Sequence, residues 1–112
     1  MQKWLTHGLN YAEDRFSLLD QITKDNVSQL GLAWSIDLSS KRGIEATPLV
    51  SEGVMYMTGA WSVVYAIDVR KGTILWQYDP KVPGGKAENA CCDVVNRGVA
   101  LYKGKVFAGT FD

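Results

Sequence analysis

The sequence predicts an all-β fold, part of a β-propeller, on three observations. Short apolar runs are bounded by turn residues, a pattern returns about 50 positions later, and no long helical period appears. Four Trp, five Tyr and three Phe accompany 11 Gly in 112 residues, a composition suited to many short strands joined by tight turns.

Residues 4–22 are mixed and polar without a sustained period, and read as an irregular arm. Thr23 is placed to N-cap one short helix running to Leu30, with Gly31 as its stop. The strand-like runs follow: Leu32–Ile36, Thr47–Val50, Val54–Met57, Val63–Ile67, Ile74–Trp76, Val99–Tyr102 and Val106–Ala108. Glu52-Gly53, Arg70-Lys71-Gly72 and Lys103-Gly104 supply the turns. Several runs are apolar at consecutive positions, so both faces of those strands are expected to be buried, as when sheets stack face to face.

The repeat joins these runs. Glu52-Gly53-Val54-Met55-Tyr56-Met57 returns 51 positions later as Lys103-Gly104-Lys105-Val106-Phe107-Ala108, and Trp34-Ser35-Ile36-Asp37 is echoed by Trp76-Gln77-Tyr78-Asp79. Periods of roughly 40 to 50 residues with four strands each mark propeller blades, although two partial copies also suit another all-β repeat. As a propeller, the chain holds one outer strand near Trp34, one whole blade from about Ile44 to Asp79, and two strands of the next. Such a piece leaves blade faces and strand edges uncovered, so in isolation it is expected to aggregate or stay loosely ordered.

Twelve basic residues balance 12 acidic ones at a pI near 6.6, which gives no electrostatic case for nucleic acid or an anionic membrane surface. No apolar run approaches the ~20 residues of a membrane span. Met1-Gln2-Lys3-Trp4 lacks the apolar stretch and cleavage site of a secretory signal, so none is expected in this chain.

Chemistry enters through three segments. In the first, Ala66 and Asp68 bracket a strand end, Gly72 makes a turn, and Trp76 sits on the next strand. The spacing resembles the tryptophan-docking motif of quinoprotein propellers, with Lys71 in place of the usual Thr. The resemblance implies a structural role, the Trp filling the gap between blades while its indole N–H finds a backbone acceptor.

The second segment holds Cys91-Cys92. Two buried thiols acting as small apolar residues are the plain reading. A zinc site is disfavoured, because adjacent cysteines chelate poorly and the single His, His7, is remote. A bond between neighbours is strained, since their Cα atoms lie about 3.8 Å apart where disulfides prefer about 4.4–6.8 Å. The surrounding Asn89-Ala90-Cys91-Cys92-Asp93-Val94-Val95-Asn96-Arg97-Gly98 closely resembles the cofactor segment of the pyrroloquinoline-quinone (PQQ)-dependent alcohol dehydrogenases. That resemblance implies a Cys91–Cys92 disulfide ring lying against one face of the quinone, and an Arg five residues on, here Arg97, at its carbonyl edge. A guanidinium suits that role, since its fixed cationic fork stabilises charge on oxygen. Asn96 and Asp93 are weaker candidates, expected to order the loop.

The third segment, Gly43-Ile44-Glu45-Ala46-Thr47-Pro48, resembles the same family's first-blade strand, implying a polar contact from Glu45 to the quinone. Asn10-Tyr11 through Asp20-Gln21-Ile22, and Asn26 through Trp34, are also similar to the family's N-terminal arm. Asp79-Pro80-Lys81-Val82-Pro83 leans toward members that oxidise ethanol and other alcohols, quinohaemoproteins included, over strict methanol dehydrogenases.

The resemblance thus implies an arm with a short helix over residues 1–31. Residues 32–112 become an incomplete PQQ-type propeller, about one and a half of eight blades: the outer strand of the closing blade, one full blade and the start of the next. The cofactor contacts are Glu45, Cys91, Cys92 and Arg97, and the docking residues Ala66, Asp68, Gly72 and Trp76. The parent would be an oxidoreductase passing hydride from an alcohol to calcium-bound PQQ in the periplasm, with calcium ligands and a catalytic Asp in later blades. Its partners would be an alcohol, a cytochrome c or quinone acceptor and the rest of the propeller, with haem c in quinohaemoprotein-like forms. The fragment is expected to be inactive alone. The alternative is a non-enzymatic propeller scaffold, which shares docking repeats but has no use for Cys-Cys followed by Arg. A small cystine-stapled binding domain would need distant cysteine partners, and there are none.

Overall fold

Two tight turns define the strands. Glu52 and Gly53 (φ 53° and 83°) and Lys103 and Gly104 (φ 46° and 73°) are paired left-handed residues, the backbone of a two-residue hairpin turn whose twist matches its strands. The first joins β1 (Leu49–Ser51) to β2 (Val54–Thr58), with Ser51 opposite Val54. The second joins β5 (Ala100–Tyr102) to β6 (Lys105–Phe107), with Tyr102 opposite Lys105. The repeat 51 residues apart is therefore one hairpin used twice, in the same register.

This computed structural model describes residues 3–112. Met1 and Gln2, where the expectation of a missing signal begins, lie outside the described residues. β3 (Val64–Asp68) and β4 (Thr73–Tyr78) complete a four-stranded antiparallel meander in the order β1-β2-β3-β4, and β5-β6 form a separate pair. The fold is as expected: the regular structure is antiparallel β-strand, with short 3-10 segments as the only helices among the described residues.

Asp68 builds the turn between β3 and β4. Its Oδ1 accepts the backbone N–H groups of Arg70 (2.8 Å) and Lys71 (3.0 Å), while the Gly72 N–H donates to its carbonyl at 2.8 Å. Those two backbone donors, Arg70 first, hold the Asp68 carboxyl below its ordinary value. Because the folded state keeps Asp68 more acidic than the unfolded chain does, its contribution is complete above the ordinary carboxylate range. It drains away as pH falls through the lowered value. Thermal melts of the full-length protein from pH 6 to 3 should accordingly show a shallower acid-side loss for Asp68→Ala than for the parent. Equal slopes would mean that the turn does not depend on the carboxylate.

One docking interaction of the expected kind is made, by Trp34 onto the turn of the motif. The Trp34 indole donates to the Val69 carbonyl at 2.8 Å, and its ring covers buried Gly72. A Cβ on Gly72 would stand 2.4 Å from the Trp34 ring, and its φ of +66° also suits glycine. Ala66, Asp68 and Gly72 thus form the receiving turn. Trp76, on β4 opposite Ala66, stays 42% exposed and lies 6.1 Å from the Tyr56 ring.

Burial also differs from the expectation. β3 is buried on both faces through Val64, Tyr65, Ala66 and Ile67, joined in the core by Leu49, Ala60 and Val94. Every residue of β4 is exposed, because among the described residues no further layer lies on it. Residues 32–36 form no strand, since no backbone partner for them lies among the described residues. The expected helix shrinks to one 3-10 turn, Val27–Gln29. Thr23 caps no helix: its Oγ1 accepts the Asp25 N–H, and Asn26 Oδ1 accepts the Thr23 N–H. Leu30 is already extended (φ −64°, ψ 132°), so Gly31 stops nothing. The arm is irregular as read, except that Trp4 exchanges two backbone hydrogen bonds of 2.8 Å with Val50 and lengthens the edge of β1.

Candidate functional site

The site is built on the loop after the 3-10 segment Gly84–Asn89. Here the chain runs Cys91-Cys92-Asp93, with Asp93 in the left-handed region at φ 67°. Asp93 forms an ion pair with Arg42, whose guanidinium lies 5.8 Å from the Trp61 ring centroid. The Trp61 N–H donates to the Val94 carbonyl at 2.9 Å, and the Val94 side chain is fully buried. One buried valine and one ion pair therefore pin the cysteines against the β2–β3 connection.

Farther along, Asn96 fastens the loop a second time. Its Nδ2 donates to Ser62 Oγ and to the Gly109 carbonyl, both at 2.9 Å. Its Oδ1 accepts the Thr58 hydroxyl and the Gly98 N–H, both at 3.0 Å. The loop-ordering roles expected of Asp93 and Asn96 are visible in these contacts.

The next residue is Arg97, whose carbonyl accepts the Thr47 N–H at 3.1 Å. Gly98 (φ +134°) passes so close that a Cβ there would stand 3.1 Å from the Thr47 carbonyl oxygen. The loop is thereby laid along the segment that leads into β1, and this brings Arg97 to Glu45 across more than 50 residues of chain. Arg97 Nη2 lies 3.2 Å from Glu45 Oε2, with the two side chains 77% and 45% exposed. Behind Arg97 a cavity of about 430 Å³ opens between Thr47, Ser62, Asn96 and Thr110.

The Cys92 thiol shares this environment. Its hydrogen bond to the Cys91 thiol pushes it above the ordinary thiol range, reinforced by Glu45 and opposed by Arg97. Three of the expected contacts, Glu45, Cys92 and Arg97, are thus electrostatic neighbours, and Cys91 adjoins them. Cys91 and Cys92 stand side by side in this loop, and both are exposed.

A flat, anionic, carbonyl-bearing ligand fits the chemistry of this donor set. Arg97 presents a planar fork of five N–H donors, of which Glu45 engages Nη2. The exposed sulfurs add a polarisable surface beside it. The set does not resemble a metal centre: among the described residues no group of three or more His, Cys, Asp or Glu could hold an ion.

A four-stranded meander that receives a tryptophan from the preceding segment, with vicinal cysteines and an Arg–Glu pair above it, defines a blade of a quinoprotein-type propeller. The chain belongs to the PQQ family described as the glucose/ethanol/alcohol dehydrogenase β-propeller domain, whose sequence model matches residues 4–110. It is similar to the 1-butanol dehydrogenase (cytochrome c) of Thauera butanivorans, 62% identical over 98% of this chain and 16% of that protein. Its structure is similar to the crystal structure of quinohemoprotein alcohol dehydrogenase from Comamonas testosteroni, with a TM-score of 0.93 and 56% identity. That match covers 97% of this chain and 16% of the other. A europium-containing methanol dehydrogenase matches with a TM-score of 0.88 at 44% identity, over 97% of this chain and 19% of that one. The chain thus spans about one sixth of the length of such relatives.

Proposed function

We propose that this chain is part of the quinone-binding wall of a PQQ-dependent alcohol dehydrogenase, with Glu45, Cys91, Cys92 and Arg97 as its cofactor contacts. The observation that carries the reading is the convergence of Arg97 on Glu45 at 3.2 Å beside the Cys92 thiol. Supporting it are relatives named as alcohol dehydrogenases of the cytochrome c, quinohemoprotein and quinone types. An alcohol substrate and a cytochrome c or quinone acceptor are the partners these names suggest. They also favour members of the quinohaemoprotein type, in which a haem c domain would follow the propeller.

Bound here, PQQ would supply the acceptor for the two electrons of the alcohol, taken as a hydride. Arg97 would hold its cationic fork against carbonyl or carboxylate oxygen, where a fixed charge in a closed site is worth far more than in water. Glu45 would orient that fork. Cys91 and Cys92 would give up two protons and two electrons to a disulfide oxidant and close into a rigid ledge. The ligands of the implied calcium ion, and the Asp that takes the hydroxyl proton, would lie in other blades of the full-length protein. Residues 1–31 would be the arm and residues 32–112 the incomplete propeller, working in the periplasm. A non-enzymatic scaffold would leave the exposed Arg97–Glu45 pair and the two cysteines without a purpose.

The full-length protein loaded with PQQ and calcium is expected to oxidise primary alcohols to aldehydes with a dye acceptor, while residues 1–112 alone turn nothing over. In intact-mass analysis the native protein should gain two alkyl labels at Cys91 and Cys92 only after reduction. Turnover without PQQ, or none with PQQ bound, would overturn the reading. Immediate labelling of both thiols would remove the disulfide from it.

A further inference from the structure

We infer that Asn96 is the positioning residue of the quinone seat, setting the place of Arg97 through four simultaneous hydrogen bonds; this rests on the function proposed above. Arg97 is poorly held by its own side chain. Its guanidinium is 77% exposed and meets Glu45, and exposed pairs of that kind hold a geometry only weakly. What fixes its position must therefore act through the backbone.

Asn96 supplies that restraint. An amide offers two donors and two acceptor lone pairs, and here both donors and both lone pairs are used, toward Ser62, Gly109, Thr58 and Gly98. Thr58 and Ser62 are 0% and 1% exposed, so two of the four anchors are core groups. The Thr58 hydroxyl also reaches the Asn96 carbonyl at 3.3 Å, holding main chain and side chain together. On the far side of Arg97, its carbonyl and the close passage of Gly98 tie the loop to Thr47. The Arg97 Cα is thus clamped from both flanks while its side chain stays open to a ligand.

The β2–β3 connection is bent to serve this arrangement. Trp61 and Ser62 both have φ of 59°, two successive non-glycine residues in the left-handed region. Such conformations are costly and persist where the surroundings enforce them, often at functional sites. Here they turn the Ser62 hydroxyl inward to accept from Asn96 and the Trp61 N–H toward Val94. Aspartate would set a carboxylate oxygen against the Gly109 carbonyl, and alanine would leave the buried Ser62 hydroxyl without its donor and Thr58 with the main-chain carbonyl of residue 96 alone.

The test compares full-length variants by PQQ affinity, by the visible absorption of the bound quinone, and by kcat against KM. A displacement of about 1 Å can cost about a hundredfold in rate. Asn96→Ala is therefore expected to weaken PQQ binding about tenfold and lower kcat ten- to a hundredfold, with KM for the alcohol nearly unchanged. Thr58→Val, which removes one donor at constant shape, should shift the same quantities in the same direction by less, and decides the matter if Asn96→Ala does not fold. Ile67→Val, a purely apolar core change, should leave affinity and spectrum as they are. If Asn96→Ala or Thr58→Val behaves like Ile67→Val while Arg97→Ala still weakens PQQ, the positioning role is wrong and the quinone seat stands. If Arg97→Ala also leaves PQQ affinity unchanged, the proposed function itself fails.

Discussion

Replacing Arg97 by alanine in the full-length protein is expected to lower kcat about a hundred- to a thousandfold, the loss that follows removal of one fixed donor from a developing oxyanion. The fold should not notice. The Arg97–Glu45 pair is 77% and 45% exposed, and such pairs contribute roughly 0–1 kcal/mol to stability. Arg97→Lys should fall between parent and alanine, since it keeps the charge but loses the planar fork. Steady-state kinetics at saturating PQQ, beside a thermal melt of each variant, would check this. A large drop in melting temperature with unchanged kcat would make Arg97 a structural residue.

The largest expected effect on stability belongs to Trp34. Its indole donates to the Val69 carbonyl at 2.8 Å and its ring lies on Gly72. Burying a tryptophan and then truncating it to alanine costs about 3–5 kcal/mol in a closed core. Trp34 is only half-buried here, so the low end, about 3 kcal/mol, is expected for Trp34→Ala. Trp34→Phe keeps most of the ring contact and loses the hydrogen bond, which is worth about 1 kcal/mol. Urea unfolding of the full-length variants would separate the two contributions. Equal losses for alanine and phenylalanine would mean that the N–H, and not the ring, holds the segments together.

Much of the blade was legible because its signals are local. Each apolar run and each glycine turn acts within a few residues, and Glu52-Gly53 and Lys103-Gly104 demand the same turn wherever they occur. Signals that depend on partners were read less well. Leu32–Ile36 has strand-forming residues, yet a strand is a hydrogen-bonded relation and no partner strand for it lies among the described residues. Thr23 carries a real capping preference, but the segment after it has no buried face, and short helices draw their stability from packing. The docking of Trp34 on the Gly72 turn had a signal in the sequence, since Trp34 and Trp76 open matching four-residue segments.

The same division holds at the site. Cys91-Cys92 and Arg97 stand out because adjacent cysteines are rare and their spacing is short. Their meeting with Glu45 has no periodic signature, since it depends on a loop laid along the β1 entry by Gly98 and Asn96. Ser62 was invisible as a partner for Asn96. A serine becomes an inward-facing acceptor only because its own backbone is left-handed.

The two matching hairpins also govern the order of events in folding. Every strand pairing in the four-stranded sheet joins neighbours in sequence, and hairpins of this kind close in about 1–10 μs. The bonds that join the N-terminal segment and the cysteine loop to the blade span far more chain: Trp34 to Val69, Thr47 to Arg97, and Thr58 to Asn96. Each must wait for loop closure, which slows contacts between distant residues. The blade is therefore an early scaffold, and the loop with Cys91, Cys92 and Arg97 is a late arrival that opens first in local fluctuations. Its amide protons should exchange with solvent well before those of Tyr65 to Ile67.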